Sequence, residues 1–250
     1  MTVQAMLLTL IFVLIPLALS KTLRLGLEKD TLVATIRSII QLFAVGYVLQ
    51  FIFDSENIMY ILLMVALMIG AATQNARKKG ASIRGITWKL VLTFIVIEIL
   101  TQGILLGLRI TPPTAQYIIP LSGMVIGNSM VLGILFLNRF TAEVASRKEE
   151  MELILSLGGT PKQAIQQSLL ASIKASTIPT IESQKTIGLV QLPGMMSGQI
   201  IAGADPLQAV MFQLLILFLL LTTAIVTSIM LGFLSYPTRF NERMQIIENR

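Results

Sequence analysis

The sequence predicts an all-α polytopic membrane protein of about seven transmembrane helices, N-terminus outside and C-terminus cytoplasmic. Three observations predict it. Mean hydropathy is +0.80, and 54% of residues are hydrophobic while only 13% are charged, a balance far from that of a soluble core. The apolar residues gather in runs long enough to cross a bilayer. The charges lie between those runs, on alternate connections, so the net charge of +6 reads as positive-inside topology and not as affinity for nucleic acid. The chain has no Cys and no His, which excludes disulfides and zinc sites built on those ligands.

The first apolar run is Val3 to Ser20. Ala18-Leu19-Ser20 resembles a signal-peptidase site, but no Lys or Arg precedes the run and the first positive charges follow it. That favours a retained helix with its N-terminus outside. Lys21 to Asp30 mixes charge with Leu23, Leu25 and Leu27. It reads equally as an elbow helix along the interface or as a charged loop, with Asp30 placed to cap the next span. The second span, Thr31 to Phe53, carries Arg37 and Gln41 one turn apart on one face. The third is Ile58 to Thr73. The basic loop after it has Gly80 and Gly85 spaced like the opening of a P-loop, but Ile86 stands where the Lys is required, so no ATP site is expected. The fourth span, Trp88 to Leu108, places Glu98 and Gln102 one turn apart, and Arg109 to Pro113 forms a tight turn. The fifth, Thr114 to Leu137, carries Pro120, Gly123, Gly127, Asn128, Ser129 and Gly133, and this glycine density permits close helix contact.

A polar segment follows. A helix is expected from about Glu143 to Leu157, stopped by Gly158-Gly159, because glycine tolerates the left-handed conformation that ends helices. A second helix starts at once, with Thr160 as N-cap, Pro161 at the first helical position and Gln163 completing a capping box. Its face presents Ile165, Leu169 and Ile173. The sixth span, between about Ala175 and Ala204, is interrupted by Pro179 and Pro193, each of which removes a helical hydrogen bond. Leu207 to Leu234 is the seventh span, and Tyr236 to Arg250 is a polar tail.

The charge distribution fits this topology. The proposed inside segments hold Lys21, Arg24 and Lys29, then Arg77, Lys78, Lys79, Arg84 and Lys89. They go on to hold Arg139, Arg147, Lys148, Lys162 and Lys174, and last Arg239, Arg243 and Arg250. The outside segments hold only Arg109, while Arg37 and Lys185 fall within spans.

The helix-turn-helix around Gly158 resembles the EAA-type coupling loop of ABC transporter permeases, in which an acidic residue precedes a glycine by six positions, as Glu152 precedes Gly158. Leu153 and Ile154 stand where that pattern has alanines, and the later proline, Pro179, lies further on. The segments TIRSIIQLFAVGYVL (35–49), GNSMVLGILFLNRF (127–140), LSLGGTPKQA (155–164), KTIGLVQLPGMMSGQI (185–200) and AGADPLQAV (202–210) resemble the FetB family. That family comprises permease subunits of ABC transporters, including bacterial iron exporters and plant aluminium-tolerance proteins. The resemblance implies a single permease domain over 1–250, in the inner or plasma membrane, with a cytoplasmic coupling element at about 141–173. It implies that Glu149, Glu150, Glu152, Gly158, Gly159, Thr160, Pro161 and Lys162 meet a separate cytoplasmic ATPase. That partner would bind ATP and Mg, leaving this chain without a cofactor or catalytic activity of its own. One chain is then half a pathway, so a permease homodimer is implied. The substrate stays open between iron or another metal and a nucleotide sugar or other organic solute, because related plant proteins are linked to the latter. Two readings of another class remain, an autonomous secondary transporter or channel and a non-transporting membrane assembly protein.

Ionisable groups inside spans are costly and are candidates for the pathway. Arg37, with Gln41 beside it, either meets an anionic substrate or pairs with Glu98 or Glu182. Glu98 either ligates a cation, with Gln102 supplying a second oxygen of the kind Fe(II) accepts, or pairs with Arg37. Glu182 and Lys185, expected near the cytoplasmic end, read as mutual partners. Pro193, Gly194, Met195 and Met196 form the break in the sixth span, where backbone can line a pathway; the Met pair reads as gap-filling core more readily than as a soft-metal site. Asn128 and Ser129 either bond across helices or face the substrate.

Overall fold

A computed structural model describes residues 8–55, 57–80, 83–241 and 243–247. These fall into two compact units, 1–57 and 58–250.

In the first unit, α1 (Ile11–Thr22) leads to α2 (Glu28–Ser55). The connection is a turn and not an elbow helix: Arg24 and Gly26 have φ of 52° and 71°, which no helix accommodates. Ser20 fixes it, its hydroxyl donating to Glu28 Oε1 (2.8 Å) and accepting from the Leu27 N–H (3.1 Å). Helix α2 begins before Thr31, so Asp30 sits inside its first turn with Glu28, where negative charge suits the helix dipole. The start of the first expected span, Val3 to Leu7, lies outside the described residues, and α1 alone is short for a crossing.

The second unit contains α3 (Ile58–Arg77), α4 (Ile86–Gly107), α5 (Ala115–Ser146), α6 (Lys148–Ser156), α7 (Pro161–Thr186), α8 (Gly194–Ile201) and α9 (Pro206–Ser235). A 3-10 turn, Tyr236–Arg239, ends it. Five helices of the described residues, α2 to α5 and α9, are long and apolar enough to cross a membrane. The sixth expected span is not one of them. Pro179 does not interrupt it, since α7 runs through that residue to Thr186. The break falls instead at 187–193, where Gly188 has φ 90° and Pro193 caps α8.

Helix α7 is long but polar because it is partnered. It runs antiparallel to α9: Leu169 meets Gly232, the Ser176 and Ser228 hydroxyls lie 2.9 Å apart, and Gln184 Nε2 donates to Leu217 O (2.8 Å). The core of the unit joins these two helices to α4 and α5, around Leu90, Phe94, Phe136, Phe140, Ile165 and Leu231. The Phe136 and Phe140 rings stack at 5.5 Å. Gly133 lets α9 approach α5, since a Cβ there would stand 3.1 Å from Leu231 Cδ1.

Pairings along the bundle fix its direction. Leu90 on α4 lies beside Gly133 of α5 while Gln102 meets Ser122, so these helices are antiparallel. Met68 and Asn75 on α3 reach Gly123 and Met130 on α5, so those two are parallel. One end of the unit therefore collects the α3–α4 loop, the C-terminus of α5, the α6–α7 junction and the C-terminus of α9, which together carry most of its Lys and Arg. The α4–α5 turn, α8 and the start of α9 lie at the other end. Glu182 pairs with Lys185 (2.6 Å), but in the half of α7 away from the basic end, contrary to the expected position.

Candidate functional site

Two places in the second unit carry the residues singled out by sequence. The first is the α6–α7 junction. The helix expected from Glu143 starts later, because α5 continues to Ser146 and the chain kinks at Arg147 before α6. The Arg147 guanidinium ties the kink to both neighbours, Glu143 at 3.3 Å and Glu150 at 3.6 Å. Helix α6 ends in a Schellman motif. Gly159 N–H donates to Ile154 O (2.9 Å), Gly158 N–H donates to Leu155 O (3.0 Å), and Gly158 has φ 87°. A Cβ on Gly159 would stand 2.8 Å from the Ile154 carbonyl oxygen, so glycine is required there by space as well. The next residue opens α7 with a complete capping box: Thr160 N–H donates to Gln163 Oε1 (2.8 Å) and Gln163 N–H to Thr160 Oγ1 (3.3 Å), with Pro161 in the first turn. Met151, Ala164, Ile165 and Leu169 anchor the junction in the core. Leu153 and Leu157 are left 60% and 80% exposed, beside Glu149, Glu150, Glu152 and Lys162. A stiff corner with two bare leucines and a ring of charge is built to be touched.

The second place is inside the bundle, between α4 and α5. Glu98 is 92% buried by its 8% exposure. One of its oxygens accepts from the Ser122 hydroxyl, and Gln102 Nε2 donates to that same hydroxyl at 2.9 Å. Among the described residues the chain Gln102–Ser122–Glu98 leaves Glu98 Oε2 and Gln102 Oε1 buried with no partner. Two unsatisfied acceptor oxygens in an apolar setting attract a cation or a proton donor. Among the described residues no group of three or more acidic, His or Cys side chains is assembled, so Glu98 is the lone carboxylate of this cluster. Arg37 and Gln41 belong to α2 in the first unit, where both are exposed.

The remaining candidates separate by their contacts. Asn128 Nδ2 donates to Leu220 O (3.2 Å) and to Thr223 Oγ1 (3.0 Å), which locks α5 to α9. Ser129 is buried with its hydroxyl unpartnered. Met195 is half-buried against the cluster of Leu105, Leu121, Ile216 and Leu219, and so fills a gap in the packing. Pro193 and Gly194 form the start of α8, at the end away from the basic face. Sequence reasoning passed over three residues. Ser122 gave no signal beyond being a hydroxyl in an apolar run. Lys89 and Arg239 were counted as loop charges, yet both are buried.

The family described as "Uncharacterised protein family (UPF0014)" matches residues 3–240. The chain is 57% identical to "UPF0014 membrane protein YjkA" of Bacillus subtilis over 97% of both chains. It is 39% identical to "Probable iron export permease protein FetB" of Escherichia coli, over 98% of this chain and 95% of that one. It is 32% identical to "Protein ALUMINUM SENSITIVE 3" of Arabidopsis thaliana, over 95% and 87%. No solved structure matches it.

Proposed function

Because this multi-pass membrane protein belongs to the UPF0014 family, we propose that it is the membrane-spanning permease subunit of an ABC transporter of the cell membrane, exporting iron or another metal ion. A separate cytoplasmic ATPase binds ATP and Mg and drives it; this chain has no catalytic role. The observation that carries the reading is the α6–α7 junction, a doubly capped corner that turns Leu153 and Leu157 outward. A force applied there passes to α7, and α7 lies along both α5 and α9. The near full-length likeness to a protein named as an iron export permease supports the substrate class.

In this reading the basic end of the bundle is cytoplasmic. Helix α7 and the short α8 then form the sixth crossing, joined by non-helical backbone at 187–193 in which Leu189 and Val190 are exposed. Two permease chains pair to form the pathway. The metal ion meets Glu98 Oε2 and Gln102 Oε1 on its way, hard oxygen donors in a chain without thiolate or imidazole. Purification of the tagged chain from its native host tests the core of the proposal. A P-loop ATPase should come with it, and should be lost when Leu153 and Leu157 are both changed to Ser. Recovery of the intact chain with no ATPase would favour an autonomous transporter.

A further inference from the structure

We propose that Lys89 and Arg239 form a phosphate-binding site at the basic end of the bundle, filled in the membrane by the headgroup of an anionic phospholipid.

Three helix ends converge there. Lys89 lies in the first turn of α4, Thr141 near the end of α5, and Arg239 just beyond α9. Both cations are withdrawn from water, with exposures of 8% and 2%. Among the described residues their polar partners are hydroxyls: Lys89 Nζ bonds Thr238 Oγ1 (3.1 Å), and Arg239 Nη2 bonds Thr141 Oγ1 (2.9 Å). A hydroxyl brings no negative charge, so these contacts do not neutralise what burial has made costly. The Arg239 guanidinium also rests on the Phe140 ring, 5.5 Å from its centroid, which covers one face and holds the plane fixed. Among the described residues its Nε–H has no partner. Lys89 bonds the residue next to Arg239, so two like charges share this corner. A pair of buried, oriented, mutually repelling cations is a structure that needs an anion.

Beside Arg239 is a cavity of about 420 Å³, lined by Thr141, Val144, Ala145, Lys148, Ile246 and Ile247. Its lining combines the donors Thr141, Lys148 and Arg239 with the aliphatic Val144, Ile246 and Ile247. That is the combination a phosphodiester with its glycerol carbons requires. A guanidinium with a free Nε–H among the described residues presents the fork that phosphate oxygens match, and the Lys89 ammonium, bonded to the adjacent Thr238 and outside the cavity lining, supplies a second charge nearby. Trp88, adjacent to Lys89, is 67% exposed, where an indole marks the headgroup level of a bilayer. In the orientation of the proposed function this end of the bundle lies at the cytoplasmic headgroup level, and that position selects a lipid over a soluble ion.

The experiment measures thermal unfolding of the full chain in nanodiscs. Phosphatidylcholine is compared with phosphatidylcholine containing phosphatidylglycerol, and inorganic phosphate is added to the former as a separate arm. Native mass spectrometry counts retained lipid. Wild-type protein should be stabilised by phosphatidylglycerol and should retain it. Thr141→Val, which leaves both charges in place, should weaken retention measurably. The double variant Lys89→Met with Arg239→Met removes both buried charges, so it is not left with one unpaired. It should fold, lose the response to phosphatidylglycerol, and bind that lipid about tenfold or more weakly, as expected for lost charge-assisted hydrogen bonds. Equal stability in the two lipid mixtures for wild type would overturn the proposal. Stabilisation by inorganic phosphate without any response to phosphatidylglycerol would overturn the lipid assignment in favour of a soluble anion.

Discussion

Replacing Gly158 and Gly159 with Ala strikes the α6–α7 junction at both of its geometric requirements. Gly158 has φ 87°, and an L-residue held in the left-handed region costs about 1–2 kcal/mol. Gly159 fails by space. Its added Cβ would stand 2.5 Å from Ile154 Cγ2 and 2.8 Å from Ile154 O. The carbonyl cannot retreat freely, because it accepts the Gly159 N–H at 2.9 Å and closes the Schellman motif. Displacing it adds roughly 1–3 kcal/mol of backbone strain. The double variant therefore weakens the corner by about 2–5 kcal/mol, while α5, α7 and α9 keep their buried contacts. Hydrogen exchange at the amides of 157–164 should accelerate roughly 30-fold or more, with the rest of the bundle protected as before. Binding of the ATPase, or transport-coupled ATP hydrolysis, should fall in parallel. Gly158→Asn is the control, since Asn adopts the left-handed cap at low cost. Unchanged exchange at the junction would refute the cap argument. Fast exchange with normal coupling would leave the cap intact as structure and remove it from the ATPase interface.

Two further outcomes follow from the proposed function. Glu98→Gln should abolish iron stimulation of the ATPase, or protection against excess iron, with the chain still folded; if Arg37→Gln in that background restores both stability and transport, Glu98 belongs to an ion pair and not to the pathway. A reporter fused after Arg250 should be active only in the cytoplasm, and activity on the other side would mean that the number of crossings is wrong by one.

The junction was legible in the sequence because its determinants are local. Gly158, Gly159, Thr160, Pro161 and Gln163 act on their own backbone, and their spacing alone specifies the stop and the start. The long apolar helices were legible for a similar reason, since hydropathy reports the solvent that a helix meets. Helix α7 was not. Its Ser172 and Thr177 hydroxyls return to carbonyls of their own helix (2.6 and 2.8 Å), and Ser176 meets Ser228 across the interface. Polarity spent on a neighbour looks, in one dimension, like polarity facing water, so the helix from Pro161 reads as a cytoplasmic element separate from the sixth span, whereas it continues unbroken to Thr186. Pro179 misled in the opposite direction. A proline costs one hydrogen bond, and packing against α5 and α9 is enough to carry a helix past it. Lys89 and Arg239 were illegible because a cation at the end of a span ordinarily reaches for water.

The buried polar atoms of the second unit sort into those that close the bundle and those that leave it open. Asn128 and Gln184 reach across to backbone carbonyls of α9, and Ser176 meets the Ser228 hydroxyl; each such bond spends a donor and fixes a register. Such groups stiffen the frame and have nothing left to offer a substrate. Glu98 and Gln102 differ in kind. Their shared partner, Ser122, orients both side chains yet satisfies only one oxygen of Glu98 and none of Gln102's acceptor capacity. An oriented acceptor pair, left short of donors in an apolar interior, gains from a cation or a proton donor. It also lies beside α5, the helix that α7 grips from the other side of the coupling corner. In the proposed function, a push on Leu153 and Leu157 would reach Glu98, whose Oε2 has no partner among the described residues, through α7 and α5.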